Sequence, residues 1–212
     1  MSSAAATRKT SRLPRSKRRA QLLGAARQVF VSQGYHAAAM DDIADAAGVS
    51  KPVLYQHFPS KLELYLALLD AGAEQLVATI QQSLESTRDN SQRVQAAVAG
   101  YFSFIDDSAE FFRLLFEGDL VNDDEVLAKV QSADDRCADL LAGVICEDTG
   151  LSYPEGRLLA FGLMGMAHTA ARRWLREPQD TLSRQQAADL IASLGWRGIS
   201  GFPAAGVRQA EN

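Results

Sequence analysis

Cysteine and histidine are scarce: the chain has two cysteines and three histidines in 212 residues. Cys137 and Cys146 stand nine apart in one helical pattern. At about 100° per residue they point to opposite faces, so neither a local disulfide nor a shared metal ion fits that spacing. His168 is the only histidine outside the N-terminal segment that holds His36 and His57, so no histidine metal cluster or catalytic triad can be assembled around it. No nucleophile–base pair or phosphate-cradling glycine loop appears at usable spacing either. The chain therefore reads as a non-enzyme, with neither catalytic nor metal-ligating residues and no cofactor. No window supplies the roughly 18 uncharged apolar residues of a membrane span, and the basic N-terminus leads into the amphipathic stretch Leu22–Phe30 rather than a signal-peptide core. The protein is expected in the cytoplasm, without a membrane partner. No alternating strand pattern exceeds a few residues, which points to an all-α fold.

What is present is an ordinary hydrophobic content, 47%, enough for one sizeable core or a small domain beside a larger one. The net charge of −4 conceals an asymmetry. Residues 1–61 carry ten Lys/Arg against three Asp/Glu, +7, and residues 62–212 carry twelve against twenty-three, −11. A basic segment of that size neutralises phosphates, and an acidic remainder is repelled from DNA and orients the molecule on it. Residues 1–13, rich in Ser, Ala, Thr and Arg, read as a disordered basic tail.

Helix punctuation divides the chain beyond that tail. Leu22, Ala26, Val29 and Phe30 mark the apolar stripe of a helix from about Arg15 to Gly34, where glycine suits a left-handed C-terminal residue. Ile43, Ala44 and Ala47 form a helix of barely two turns closed by Gly48. Ser50 is placed to cap a third, with Pro52 in its first turn where the missing N–H costs nothing. Ser60 is placed to cap a fourth and longer helix bearing Leu62, Tyr65, Leu66 and Leu69.

The stretch AGVSKPVLYQHFPSKLELY is thus a helix, a glycine turn and a helix, a helix-turn-helix. Ala47, Val49, Leu54 and Phe58 can close a small core under the turn. The opposite side of the Ser50–Phe58 helix is left facing outward. There Lys51 and Gln56 can donate to base edges, Pro52 and Val53 can touch thymine methyls, and Tyr55, His57 and Lys61 can hold phosphates. Arg15 and Arg18 add to the same basic surface. The plainer readings are a solvated face of a helical bundle, or a helical adaptor that never meets DNA; cap, turn, proline and basic flank together favour DNA.

The segment MDDIADAAGVSKPVLYQHFPSKLELY resembles the DNA-binding signature of the TetR family of bacterial transcriptional regulators, over roughly residues 15–64. The resemblance implies an all-helical homodimer in which an N-terminal three-helix domain (14–60) binds a palindromic double-stranded operator and a C-terminal helical domain (61–201) binds a small hydrophobic ligand and dimerises. A flexible tail (202–212) would complete the chain. By position, Lys51, Pro52 and Val53 would read bases, Tyr55 and His57 would touch the backbone or neighbouring bases, and Lys61 would hold a phosphate. One departure stands out. Many members have a phosphate-binding Thr at the start of the second helix, where this chain has Ala38-Ala39-Met40, so that contact is missing or falls to backbone N–H groups.

The remainder reads as sensor and interface. Phe102, Ile105, Phe112, Leu115 and Phe116, in an aromatic-rich run, with Phe161 and Met166 further on, are candidates to line an apolar ligand cavity, although for any single residue of that run a place in a well-packed core is the favoured reading. Asp106-Asp107 reads as a helix end rather than an acid–base pair, and Asn122-Asp123-Asp124 as the opening of a helix over Val126–Ile145. Gly162, Gly165 and Thr169 share one helical side, where small residues let another helix approach. In the family the last two helices build a four-helix bundle across the dimer axis, and Ala187–Leu194 would supply the second. His168 reads as a buried, hydrogen-bonded or interface histidine, and Arg172, Arg173 and Arg176 as charges suited to a helix C-terminus. The combination of RLP..RR.QLL, the helix-turn-helix segment, RL.FE.D and GL.GM is similar to TetR-type regulators of fatty-acid synthase genes, which implies a long-chain fatty acyl-CoA as effector. A regulator of an efflux or catabolic operon answering another hydrophobic molecule is the alternative.

Overall fold

The structure, a computed structural model, describes residues 13–107, 120, 122–177 and 182–199. Among the described residues there are eight helices and no strand. They are α1 (Arg15–Gln33), α2 (Met40–Ala46), α3 (Lys51–His57), α4 (Lys61–Glu85), α5 (Asn90–Asp107), α6 (Asp124–Thr149), α7 (Tyr153–Arg176) and α8 (Arg184–Ile199). The expected N-terminal tail, Leu13 apart, and the expected tail 202–212 lie outside the described residues, as do Phe112, Leu115 and Phe116.

The chain divides into two compact units, Met1–Leu68 and Leu69–Asn212. The division falls inside α4, some residues beyond the 60/61 boundary read from the sequence; Leu64, Tyr65 and Leu68 in its first turns are buried. The Tyr65 ring meets Phe30 edge-on at 5.3 Å and Tyr35 at 5.1 Å. A tyrosine so placed ties the start of a helix to α1 by area and by ring geometry together.

In the first unit α1 packs on α2 and α2 on α3. Helix α1 buries Leu22, Ala25, Ala26, Val29 and Phe30, the spacing of a single helical stripe. It ends at Gly34, whose φ of 79° would strain any residue with a side chain, although ψ of 164° is extended rather than left-handed helical. Helix α2 stops in a Schellman turn: Gly48 has φ +63°, its N–H donates to Asp45 O at 3.0 Å, and Val49 N–H donates to Ala44 O at 3.0 Å. Ser50 occupies the N-cap of α3 in extended backbone, but its hydroxyl makes no cap bond. Ser60 does cap α4, its Oγ accepting from Glu63 N at 3.1 Å. Ala47, Leu54 and Phe58 are buried beneath the turn and Val49 is half-buried there.

In the second unit α5 packs against α7 and α8, and α7 against α6 and α8. Val77, Ile80, Leu84, Ala97 and Cys137 form one buried cluster, and Ala138, Ala142, Ile145, Leu151 and Ala160 another. Asp123 caps α6 through Glu125 N and Val126 N, and Gly150 (φ 67°) closes it in the left-handed conformation. Glu155 folds back onto Ser152 N at 2.8 Å to cap α7. The acidic pair at the end of α5 is occupied by Arg184, at 3.1 Å from Asp106 and 3.6 Å from Asp107. No helix among the described residues is long and apolar enough to cross a membrane, and no group of three or more His, Cys, Asp or Glu there is placed to hold a metal.

Candidate nucleic-acid interface and ligand cavity

Helix α3 has two faces because its core contact is narrow. Leu54 is fully buried and Phe58 nearly so, while Lys51, Pro52, Tyr55 and Gln56 are exposed and Val53 and His57 half-buried. Arg15, exposed, and Arg18, half-buried, lie in the first turn of α1. The beginning of α1 and the end of α3 converge: the Arg19 guanidinium sits 4.4 Å from the centre of the Phe58 ring, a cation–π contact. His57 is held below the usual imidazole pKa, first by burial and then by the charges of Arg15, Arg19 and Arg18. Four residues from two helices therefore make one positive surface with a largely neutral histidine at its centre near pH 7. Gln21 fixes this arrangement by donating from Nε2 to Ala47 O in the turn at 2.7 Å.

Two of these side chains have partners within the first unit itself. Lys61 directs its ammonium at three backbone carbonyls, Tyr35 O at 2.8 Å, His36 O at 3.3 Å and Ala38 O at 2.9 Å, and lies 4.5 Å from the Tyr35 ring centre. An ammonium has three N–H donors, so here the lysine is engaged as a clamp on the α1–α2 connection. Nothing in a single sequence shows that those carbonyls converge. Lys51 pairs with Asp41 at 2.8 Å across the first turns of α2 and α3. Its pKa is raised by that hydrogen bond first and by the charge of Asp41 second.

The second unit contains a cavity of about 310 Å³. Leu76 and Ile80 of α4, Val94 and Val98 of α5, Leu141 of α6 and Met164 of α7 supply much of its apolar wall. Phe161 and Met166 line it. Phe102 and Ile105 do not: both are fully buried, and Phe102 packs on Trp174 with ring centres 5.9 Å apart. Tyr101, Asp134, Cys137 and His168 are the cavity's polar lining, and the Tyr101 hydroxyl lies 2.9 Å from His168 Nδ1. Burial and then Arg172 lower the His168 pKa. Burial pushes the Cys137 thiol up to about 12, which leaves it an inert apolar group. The sequence marks His168 as a hydrogen-bonded histidine but carries no sign that Asp134 reaches the cavity.

Residues 22–68 match the model of the bacterial regulatory proteins of the tetR family. The HTH-type transcriptional activator FasR of Mycolicibacterium smegmatis is 46% identical over 200 residues, 94% of this chain and 91% of that protein. The chain belongs to the TetR family. It is a DNA-binding transcriptional regulator with the all-helical architecture of that family. A TetR-like transcriptional regulator from Rhodococcus sp. RHA1 superposes with a TM-score of 0.70 at 29% identity, covering 90% of this chain and all of that one. FadR of Bacillus subtilis, solved in complex with stearoyl-CoA, shares the fold with a TM-score of 0.68 at 18% identity over 83% of this chain and 96% of its own.

Membership of the TetR family sharpens the departure at the start of α2. The Ala39 N–H, which a phosphate would otherwise seek, donates to Asp42 Oδ2 at 3.3 Å, and Asp41 and Asp42 both stand in the first turn. Carboxylates there satisfy the helix dipole internally and disfavour a phosphate at that end. This TetR chain instead concentrates its positive charge on Arg15, Arg18 and Arg19, of which Arg19 escaped the sequence reading. Its signal was the i, i+3, i+4 spacing of three arginines on one helical face.

Proposed function

We propose that the protein is a homodimeric regulator of fatty-acid synthesis genes, acting in the cytoplasm, whose operator binding is altered by a long-chain fatty acyl-CoA. The observation that carries this reading is the pairing, in one chain 46% identical to FasR, of an α3 reading face with a largely apolar cavity in the other unit. The occupancy of FadR by stearoyl-CoA supports the ligand class through a shared fold.

The dimer contact is assigned to α7 and α8. Leu158 of α7 is 74% exposed, and Leu190 and Leu194 of α8 are 61% and 60% exposed. A Cβ added at Gly162 or Gly165 would meet nothing within 4 Å. Exposed leucines beside open glycines form the surface a second copy would cover. Each protomer then presents one α3, and two copies about 34–36 Å apart read successive major grooves of a palindrome. On this docking Lys51, Pro52, Val53 and Gln56 face base edges, and Tyr55, His57, Arg15 and Arg18 lie along the phosphates. An acyl-CoA that binds better to a dimer of different head separation shifts the population by that difference in affinity alone.

The test is fluorescence anisotropy on DNA from upstream of its own gene and of a fatty-acid synthase gene, with and without palmitoyl-CoA. Salt-sensitive binding that palmitoyl-CoA changes by at least tenfold is expected. Binding indifferent to palmitoyl-CoA removes the effector assignment, and no binding to either DNA removes the assignment of target genes.

A further inference from the structure

The second unit's cavity is apolar on most of its wall, yet three helices bring polar groups to it: Tyr101 from α5, Asp134 from α6 and His168 from α7. Two of the three are explained by packing, since the hydrogen bond of 2.9 Å between Tyr101 and His168 joins α5 to α7. Asp134 is not. It is half-buried and makes no hydrogen bond or ion pair with any described residue. A carboxyl on an apolar wall adds no dispersion contact that a leucine would not better, and its desolvation opposes folding. Burial first, and then the charge of Asp135, raise its pKa. Arg172 stands close enough to act on Tyr101 and His168.

The size of the space limits what can meet this group. At about 30 Å³ for each water-sized group, a cavity of about 310 Å³ holds roughly ten of them. The part of a ligand that fills it is a chain or ring system of that order, and the polar group it brings to this lining meets Asp134. An ionised carboxylate is an acceptor only, so the end it welcomes carries an O–H or N–H donor, and the end it repels is another anion. We propose that Asp134, which lines the cavity together with Tyr101, is a head-group filter: the cavity takes an apolar chain ending in an uncharged hydrogen-bond donor, a hydroxyl or an amide, and rejects the carboxylate of a free fatty acid. This inference rests on the ligand-binding reading above and deepens it. It separates amide-bearing conjugates of an acyl chain from the free acid that shares the chain.

The experiment compares decanol and decanoate by calorimetry at about pH 7.5, on the full-length protein and on Asp134→Asn, which keeps the shape and removes the charge. Any apolar cavity favours the alcohol, so the variant carries the test. Decanol is expected to bind the wild type at least 30-fold tighter than decanoate, and Asp134→Asn to shrink that ratio at least fivefold by tightening decanoate. Asp134→Ala serves as a second variant should the amide fail to fold, with a thermal melt on each. An unchanged ratio overturns the proposal, as does failure of decanol to bind the wild type. Palmitoyl-CoA release from DNA, measured on the same proteins, keeps the two readings apart. If release persists in Asp134→Asn with an unchanged ratio, only the filter fails; if the ratio shifts while palmitoyl-CoA does nothing, only the effector assignment fails.

Discussion

Lys61 offers the sharpest contrast between a phosphate contact and a structural clamp, and Lys61→Met separates them. The substitution keeps the apolar stem and removes the ammonium that bridges Tyr35 O, His36 O and Ala38 O. Hydrogen bonds to a charged donor contribute about 1.5–3 kcal/mol each when nothing replaces them. Here Lys61 is only half-buried, so water replaces much of what is lost, and the three bonds together should be worth about 2–3 kcal/mol rather than three times the single value. In a chain of this size that corresponds to a melting-temperature drop of roughly 4–12 °C. The second assay is the salt dependence of operator binding. A lysine that neutralises a phosphate contributes about 0.9 to the slope of log K against log salt. A clamp contributes nothing to it, and its removal weakens binding evenly by loosening the connection into α2. The expected result is a lower melting temperature with the slope unchanged. A variant of unaltered stability whose slope falls by about one unit per protomer would refute the clamp and restore the phosphate role.

The reading head and the exposed face of α8 set two further outcomes. His57 has a folded pKa below its free value because of burial and of Arg15, Arg19 and Arg18, so the unfolded chain binds more protons and stability falls as pH drops through about 6.5. DNA phosphates would offset those arginines and draw the proton on. Operator affinity should therefore rise as pH falls below about 6.5, by at most about tenfold per pH unit per histidine, and anisotropy titrations should show this dependence abolished in His57→Asn. Replacing Leu190 and Leu194 together with Asp puts charge on the exposed face of α8, and sedimentation should then find a monomer whose operator affinity is lower by at least about 100-fold, the loss of two-site linkage. A variant that stays dimeric would move the interface elsewhere.

The first unit was legible because its boundaries are written in local chemistry. Gly34 and Gly48 sit at positive φ, Pro52 lies in a first turn and Ser60 caps α4; each is a decision made within four residues. What stayed hidden depends on convergence over longer distances. Arg19 on Phe58 and Lys61 on the residue 35–38 carbonyls span 39 and 23–26 residues. Ser50 shows the reverse failure, a residue of the right type in the right place whose hydroxyl makes no cap bond. In the second unit the density of aromatics drew attention to Phe102 and Ile105, which are core. A cavity exists where side chains end early, so Ala97, Val98, Gly165 and Gly195 border it, and large rings tend to mark where space has been filled.

The Lys51–Asp41 pair bears on how the reading head discriminates. Both side chains are more than half exposed, so the pair itself adds little to stability. Its effect lies in what Lys51 must leave in order to reach a base. On the proposed docking, a guanine offers O6 and N7 acceptors that repay the departure from Asp41. A cytosine amino group offers a donor, and there Lys51 gains nothing by leaving its carboxylate. A lysine without that partner would rest on the nearest phosphate whatever the sequence and would add affinity without selectivity. Held by Asp41, it contributes only the difference between two engagements, and that difference depends on the base. On that docking the acidic first turn of α2, which disfavours a phosphate at its own N-terminus, would turn a neighbouring positive charge from a general attraction into a choice.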